Sequence, residues 1–196
     1  MILKDSGGED FEIAPAGVYQ AVCYQVIDMG IKENKTFNNH QRKLRVAWEL
    51  IGAVMKDGRP YSISSLYTAS LSRKANLRRD LEAWRGRAFT EQELAGFSPK
   101  GLLGVGCQIN VIHNESGGNT YANIGSIMPL PKGTEAPATQ NEKIYFSWDE
   151  TRDEYDKLPD WVKEKAMGID PELHQPESDF NQAVQEAAIH LSLIHI

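Results

Sequence analysis

Residues 41–51, QRKLRVAWELI, decide the fold class. Leu44, Val46, Trp48 and Leu50 fall on one side of a two-residue period, and Lys43, Arg45, Ala47 and Glu49 on the other. Successive side chains of a strand point to opposite faces, so the pattern predicts a half-buried strand with a basic outer face. A helix would scatter both sets around its axis. Upstream, residues 17–29, GVYQAVCYQVIDM, are rich in β-branched and aromatic residues and too long for one flat strand, which predicts a strongly bent one. Downstream, the turn KDGRP leads into a third strand over 61–68, so three sequential strands form a meander.

The period changes after Ala69. Ser72 is suited to cap a helix whose Leu77, Leu81 and Trp84 fall at i, i+4 and i+7, with Gly86 ending it in a left-handed conformation. Thr90 and Glu93 have the spacing of a capping box, which announces a second short helix. The two-residue period then returns in 106–114 and 120–128, which flank the glycine turn ESGGN as a hairpin. Three strands, a helix and two more strands is the order of a five-stranded Greek-key barrel of the OB type, with the helix inserted between strands three and four. The fold class is therefore read as all-β with minor α, an OB-like barrel over 17–134. A flexible acidic N-terminus (1–16) precedes it, and an acidic, partly disordered C-terminal extension (135–190) follows. Within that extension PLPKGTEAPATQ is a linker by composition, and 159–166 is suited to two helical turns with Leu158, Trp161 and Val162 facing the body.

Charge is distributed unevenly. The chain has 196 residues, 41% of them hydrophobic, which is enough for one ordinary core, and a formal net charge of -6. Residues 1–16 hold 1 basic and 4 acidic residues, 17–134 hold 15 and 9, and 135–196 hold 5 and 14. A basic body between acidic ends points to a nucleic-acid partner and to a tail that repels it. No run of 18 apolar residues and no basic-then-apolar leader is present, so a cytosolic protein with no membrane partner is expected. Cys23 and Cys107 have no CxxC partner and read as buried free thiols. The last six residues, LSLIHI at 191–196, back-translate to CTG TCT CTT ATA CAC ATC. That string matches a transposase adapter of sequencing libraries, so they are expected to be an artefact at the end of a truncated metagenomic reading frame.

Single strands are held by cations that track phosphates and by rings on which bases stack, each stack contributing about 1–3 kcal/mol. On an OB barrel the groove crosses strands two and three between the loop joining strands one and two and the loop joining strands four and five. Lys35 and Phe37 lie in the first loop with Lys32 and His40; Arg42, Lys43 and Arg45 lie on strand two; Tyr61 and Tyr67 lie on strand three; His113 and Tyr121 lie on the second wall with Asn114 and Asn119. These place cations and rings along one expected groove. A second basic group, Arg73, Lys74, Arg78, Arg79, Arg85 and Arg87, reads as a solvated helix face, with Arg78 and Glu82 at i, i+4. Catalytic signals are poor: GLLGVG has its glycines in the wrong order for GxGxxG, and no GxSxG or HExxH occurs. No catalysis, cofactor or metal is expected. Asp28 and Glu49 on neighbouring strands remain a bare pair of carboxylates for a Mg²⁺-dependent nuclease.

Leu81, Trp84, Arg85, Gly86 and Phe89, the 93–97 segment, Leu103 and Gly104, and the hairpin residues Tyr121, Ala122, Asn123 and Ile124 together resemble a family of bacteriophage replication-module proteins that are similar to OB-fold single-stranded DNA-binding proteins. The resemblance extends upstream through APAGVYQAVCYQVIDMG and covers most of 14–134. It implies coating of single strands in phage DNA replication or recombination. It also implies an acidic tail that docks phage or host replication proteins and competes with DNA for the basic groove. A protein–protein adaptor that never touches DNA is the alternative, and homo-oligomer formation is left open.

Overall fold

The computed structural model of the chain describes residues 12–34, 39–160 and 162–163. Strands β1 (Gly17–Asn34), β2 (Asn39–Val54) and β3 (Pro60–Thr68) form the antiparallel meander that the period of residues 41–51 predicts. Helix α1 (Asn76–Arg85), helix α2 (Glu91–Ala95) and a 3₁₀ turn (Pro99–Leu102) come next. Strands β4 (Gly106–Ser116), β5 (Asn119–Met128) and β6 (Ile144–Phe146) and a 3₁₀ segment (Arg152–Lys157) complete the described chain. The architecture is mainly β, an open antiparallel sheet in the order β3-β2-β1-β4-β5, with the short β6 added in parallel on β1. Among the described residues no ladder joins β3 to β5, so backbone pairing does not close the sheet into a barrel. None of the described helices is long and apolar enough to cross a membrane.

β1 and β5 both run antiparallel to β4, and β1 and β3 both run antiparallel to β2, so the two outer strands β3 and β5 are parallel to one another. Helix α1 packs against both. Its i, i+4, i+7 stripe of Leu77, Leu81 and Trp84 is buried, and Trp84 meets Trp48 of β2 edge-on at 5.6 Å between ring centres. The indole N–H of Trp84 donates to the Gly106 carbonyl at 2.9 Å, tying the helix to the start of β4. Gly86 closes the helix at φ 67°, the left-handed conformation that suits glycine. The N-terminus differs from expectation: the helix starts at Asn76 with Ala75 as its cap, and Ser72 opens a separate turn whose carbonyl accepts from Ala75 N–H at 2.9 Å. The Thr90 and Glu93 capping box of α2 forms in both directions.

The bend expected of the first strand comes from two bulges in β1, between Cys23 and Gln25 and between Asp28 and Ile31, with Gly30 at φ 67°. Before the first bulge the free edge of β1 pairs with β4, and after it with β6. The sheet therefore has two apolar layers. One face buries Ala21, Cys23, Val26, Val46, Trp48, Leu50, Ile109 and Val111 beneath α1. On the other, Ile27 and Met29 are covered by Phe146, Leu158 and Val162, with Trp148 and Tyr155 packed around them. Both cysteines are free and buried in the first layer, and burial pushes the Cys23 thiol up to about 12.

Both ends of the chain differ from the expected acidic tails where they are described. Residues 12–16 are tied down: Glu12 accepts from Lys56 N–H and from the Tyr61 hydroxyl, Ala14 is buried, and His113 Nε2 lies 2.8 Å from the Ala14 carbonyl oxygen. The extension is fastened from Leu130 to Val162. A methyl group at Gly106 would meet Leu130 Cδ1 at 2.5 Å and Ala136 Cβ at 3.0 Å, so the glycine is what lets this strap cross β4. Further on, the buried Glu49 carboxylate accepts from Gln140 N–H at 3.0 Å and from Asn141 N–H and Nδ2 at 2.8 and 2.7 Å. Leu158 and Val162 face the body as their spacing predicts; Trp161 and residues 191–196 lie outside the described residues.

Candidate nucleic-acid interface

Register decides which of the candidate cations share a face. Lys43 lies opposite Thr68 and Arg45 opposite Leu66, and directly opposed residues of an antiparallel pair point the same way, so these four share one face of β2 and β3. Arg42, one residue off this period, points to the other face with Leu44. The strand thus splits its three cations instead of presenting a single basic row.

Each cation also has intramolecular partners. The Arg42 guanidinium bonds the buried Asp28 carboxylate, with Nε at 3.0 Å, and pairs with Asp149 of the extension at 2.7 Å. The hydrogen bond and charge of Asp28, reinforced by Asp149, push the Arg42 pKa further up, so this cation is a fixed part of the extension's seat. The Arg45 guanidinium donates to Gln25 Oε1, and burial pushes its pKa down. Among the described residues Lys43 Nζ bonds neutral oxygens, Gln41 Oε1 at 2.8 Å and Thr68 Oγ1 at 2.9 Å, and no carboxylate.

The ring candidates separate as well. Tyr67 is 5% exposed; its hydroxyl donates to Asp80 at 3.1 Å and burial pushes its pKa up, so it is a core residue with no ring face for a base. This corrects its reading as a stacking platform, because its position on β3 faces Leu44 and the helix side of the sheet. Tyr61 is half-buried beneath Glu12, whose carboxylate accepts its hydroxyl at 3.0 Å. Tyr121 is 49% exposed on the β4–β5 hairpin opposite Asn114, and His113 is held by the Ala14 carbonyl. Tyr61 and Thr68 stand seven residues apart on β3, about 23 Å at 3.3 Å per residue, so Tyr61 and the Lys43 corner occupy opposite ends of that strand. Lys35 and Phe37 lie outside the described residues.

The two carboxylates weighed for a metal are spent elsewhere. Asp28 lies opposite Leu44, while Glu49 lies five residues further along β2, about 17 Å away at 3.3 Å per residue, so no ion is shared between them. Among the described residues no three His, Cys, Asp or Glu gather closely enough to hold a metal ion.

Of the second basic group, four arginines are ion-paired: Arg78 with Glu82, Arg79 with Asp80, and Arg85 and Arg87 with Glu93. Arg73 and Lys74 differ. They are exposed, sit in the turn ahead of α1, and have no ion-pair partner among the described residues. Reading Ser72 as a helix cap hid them, since it assigned both to the first turn of the helix; Asn76 as an alternative helix start was the local signal available.

No protein-family model matches the chain, and no curated protein matches it.

Proposed function

We propose that the chain is a non-catalytic, sequence-nonspecific single-stranded DNA-binding protein of OB-like architecture, acting in the host cytoplasm during phage DNA replication or recombination. The observation that carries this reading is the strand order β3-β2-β1-β4-β5, with β3 and β5 parallel and α1 seated against both. An OB fold is a partly open five-stranded barrel of this connectivity, and it binds oligonucleotides on the face of its second and third strands. On that face the chain offers Lys43 and Arg45 beside the exposed Leu66, with serines 62 and 64 beyond. The resemblance at Trp84 to Phe89 and along the β4–β5 hairpin supports the phage setting.

A second reading, an adaptor that docks replication proteins, draws on the same helix-free face of the sheet further along, at β1, β4 and β5. Val18, Ile112, Tyr121 and Met128 are exposed there, and the alternating positions around them are glutamine, asparagine and serine without a charge. Titration of a fluorescently labelled oligothymidine separates the two. The DNA reading expects a rise in anisotropy whose affinity falls steeply between 50 and 200 mM salt, because bound counterions are released, an effect of about 0.7 log units of affinity per phosphate contact per log unit of salt. No binding, or binding indifferent to salt, favours the adaptor.

A further inference from the structure

Building on the DNA-binding reading, we infer that the phosphate-contacting corner of this protein is the turn Ser72–Arg73–Lys74–Ala75 together with Lys43, and that Arg42 is not part of it. The Ala75 N–H to Ser72 carbonyl bond makes Arg73 and Lys74 the two central residues of a β-turn, and both are exposed. The turn is braced on both sides. Ser72 N–H donates to Ser70 Oγ at 3.2 Å, and Arg78 Nη1 of α1 donates to the Leu71 carbonyl at 3.3 Å. Its approach is fixed to the strand that carries Lys43, since Ala69 N–H donates to the Arg42 carbonyl at 2.8 Å and Lys43 Nζ reaches Thr68 Oγ1.

The chain is acidic overall and satisfies each of the four arginines that follow, at 78, 79, 85 and 87, with a carboxylate. Two adjacent exposed cations on a braced turn, five and six residues along the chain from the Thr68 that Lys43 bonds, have no ion-pair partner among the described residues, and a strand of phosphates supplies negative charge for them. Arg42 has the reverse character, since Asp28 and Asp149 already occupy its guanidinium.

The test is the salt dependence of oligothymidine binding by the full chain. Arg73→Gln with Lys74→Gln is compared with Arg79→Gln with Arg87→Gln, a control that removes the same two charges from ion-paired sites, with unfolding midpoints measured for both. The corner predicts that the first pair weakens binding and lowers the salt slope by about 0.7 per lost contact, about 1.4 in all, while the control retains the wild-type slope. Equal slopes in all three proteins, or an equal loss in both variants, overturn the assignment while leaving DNA binding intact. A wild-type chain that does not bind overturns the DNA reading itself, and the ligand of this corner with it.

Discussion

Trp84→Ala is expected to lower the unfolding free energy by about 3–5 kcal/mol, the range for truncating a large buried aromatic. A domain of this kind has about 5–15 kcal/mol in total, so the variant stands close to the edge of folding at ordinary temperature. Three losses combine. The ring leaves its edge-on contact with Trp48; its N–H no longer meets the Gly106 carbonyl; and α1 loses the largest residue of the stripe that seats it against β3 and β5. Because no ladder joins β3 to β5 among the described residues, the side chains of this helix are what cover the open side of the sheet, and the first core is exposed when they go. Trp84→Phe separates the contributions: it keeps most of the apolar area but removes the hydrogen bond, for an expected cost of about 1–2 kcal/mol. Urea midpoints measure both. An alanine variant within 1 kcal/mol of wild type would show that α1 is not what completes the core.

Glu49→Ala is expected to cost about 2–3 kcal/mol, most of it from leaving the donors of Gln140 and Asn141 without the charged acceptor that now satisfies them. The loss is local as well as global. Hydrogen exchange at the Gln140 and Asn141 amides should speed up before that of β1 or β2, since those two amides hold the strap to the sheet. Glu49→Gln keeps one acceptor oxygen but turns an amide nitrogen toward donors, so it should fall between wild type and alanine. Unchanged exchange at 140 and 141 in the alanine variant would mean that β6 and the second apolar layer hold the strap without this carboxylate.

These two variants also mark where reading from sequence succeeds. Trp84 was legible because a helix buries residues at i, i+4 and i+7, a pattern written within ten residues; the same holds for β2, whose alternation runs from Lys43 to Leu50, and for the Thr90 and Glu93 box. Glu49 was legible as a strand position but not as a latch. Its partners are 91 and 92 residues away, in a stretch whose composition reads as linker, and no local period announces them. β6 is three residues long and pairs with β1 beyond the first bulge, on the edge that β4 has left. The candidate site suffered from the same limit. Counting basic residues located the positive body, but a count does not show which cations face carboxylates. Arg42 therefore looked equal to Lys43, while Arg73 and Lys74 looked like Arg78 and Arg79. Tyr67 read as a stacking ring because it lies on the third strand of the expected groove; which face of that strand is buried is decided by pairing with β2.

If a single strand lies on the β2–β3 face at its basic corner, as proposed, backbone amide shifts recorded during an oligothymidine titration locate it there. The largest changes are then expected at residues 43–45, 66–68 and 72–75, fading as salt is raised. Changes concentrated instead around Val18, Ile112, Tyr121 and Met128, or no changes at all, would contradict it.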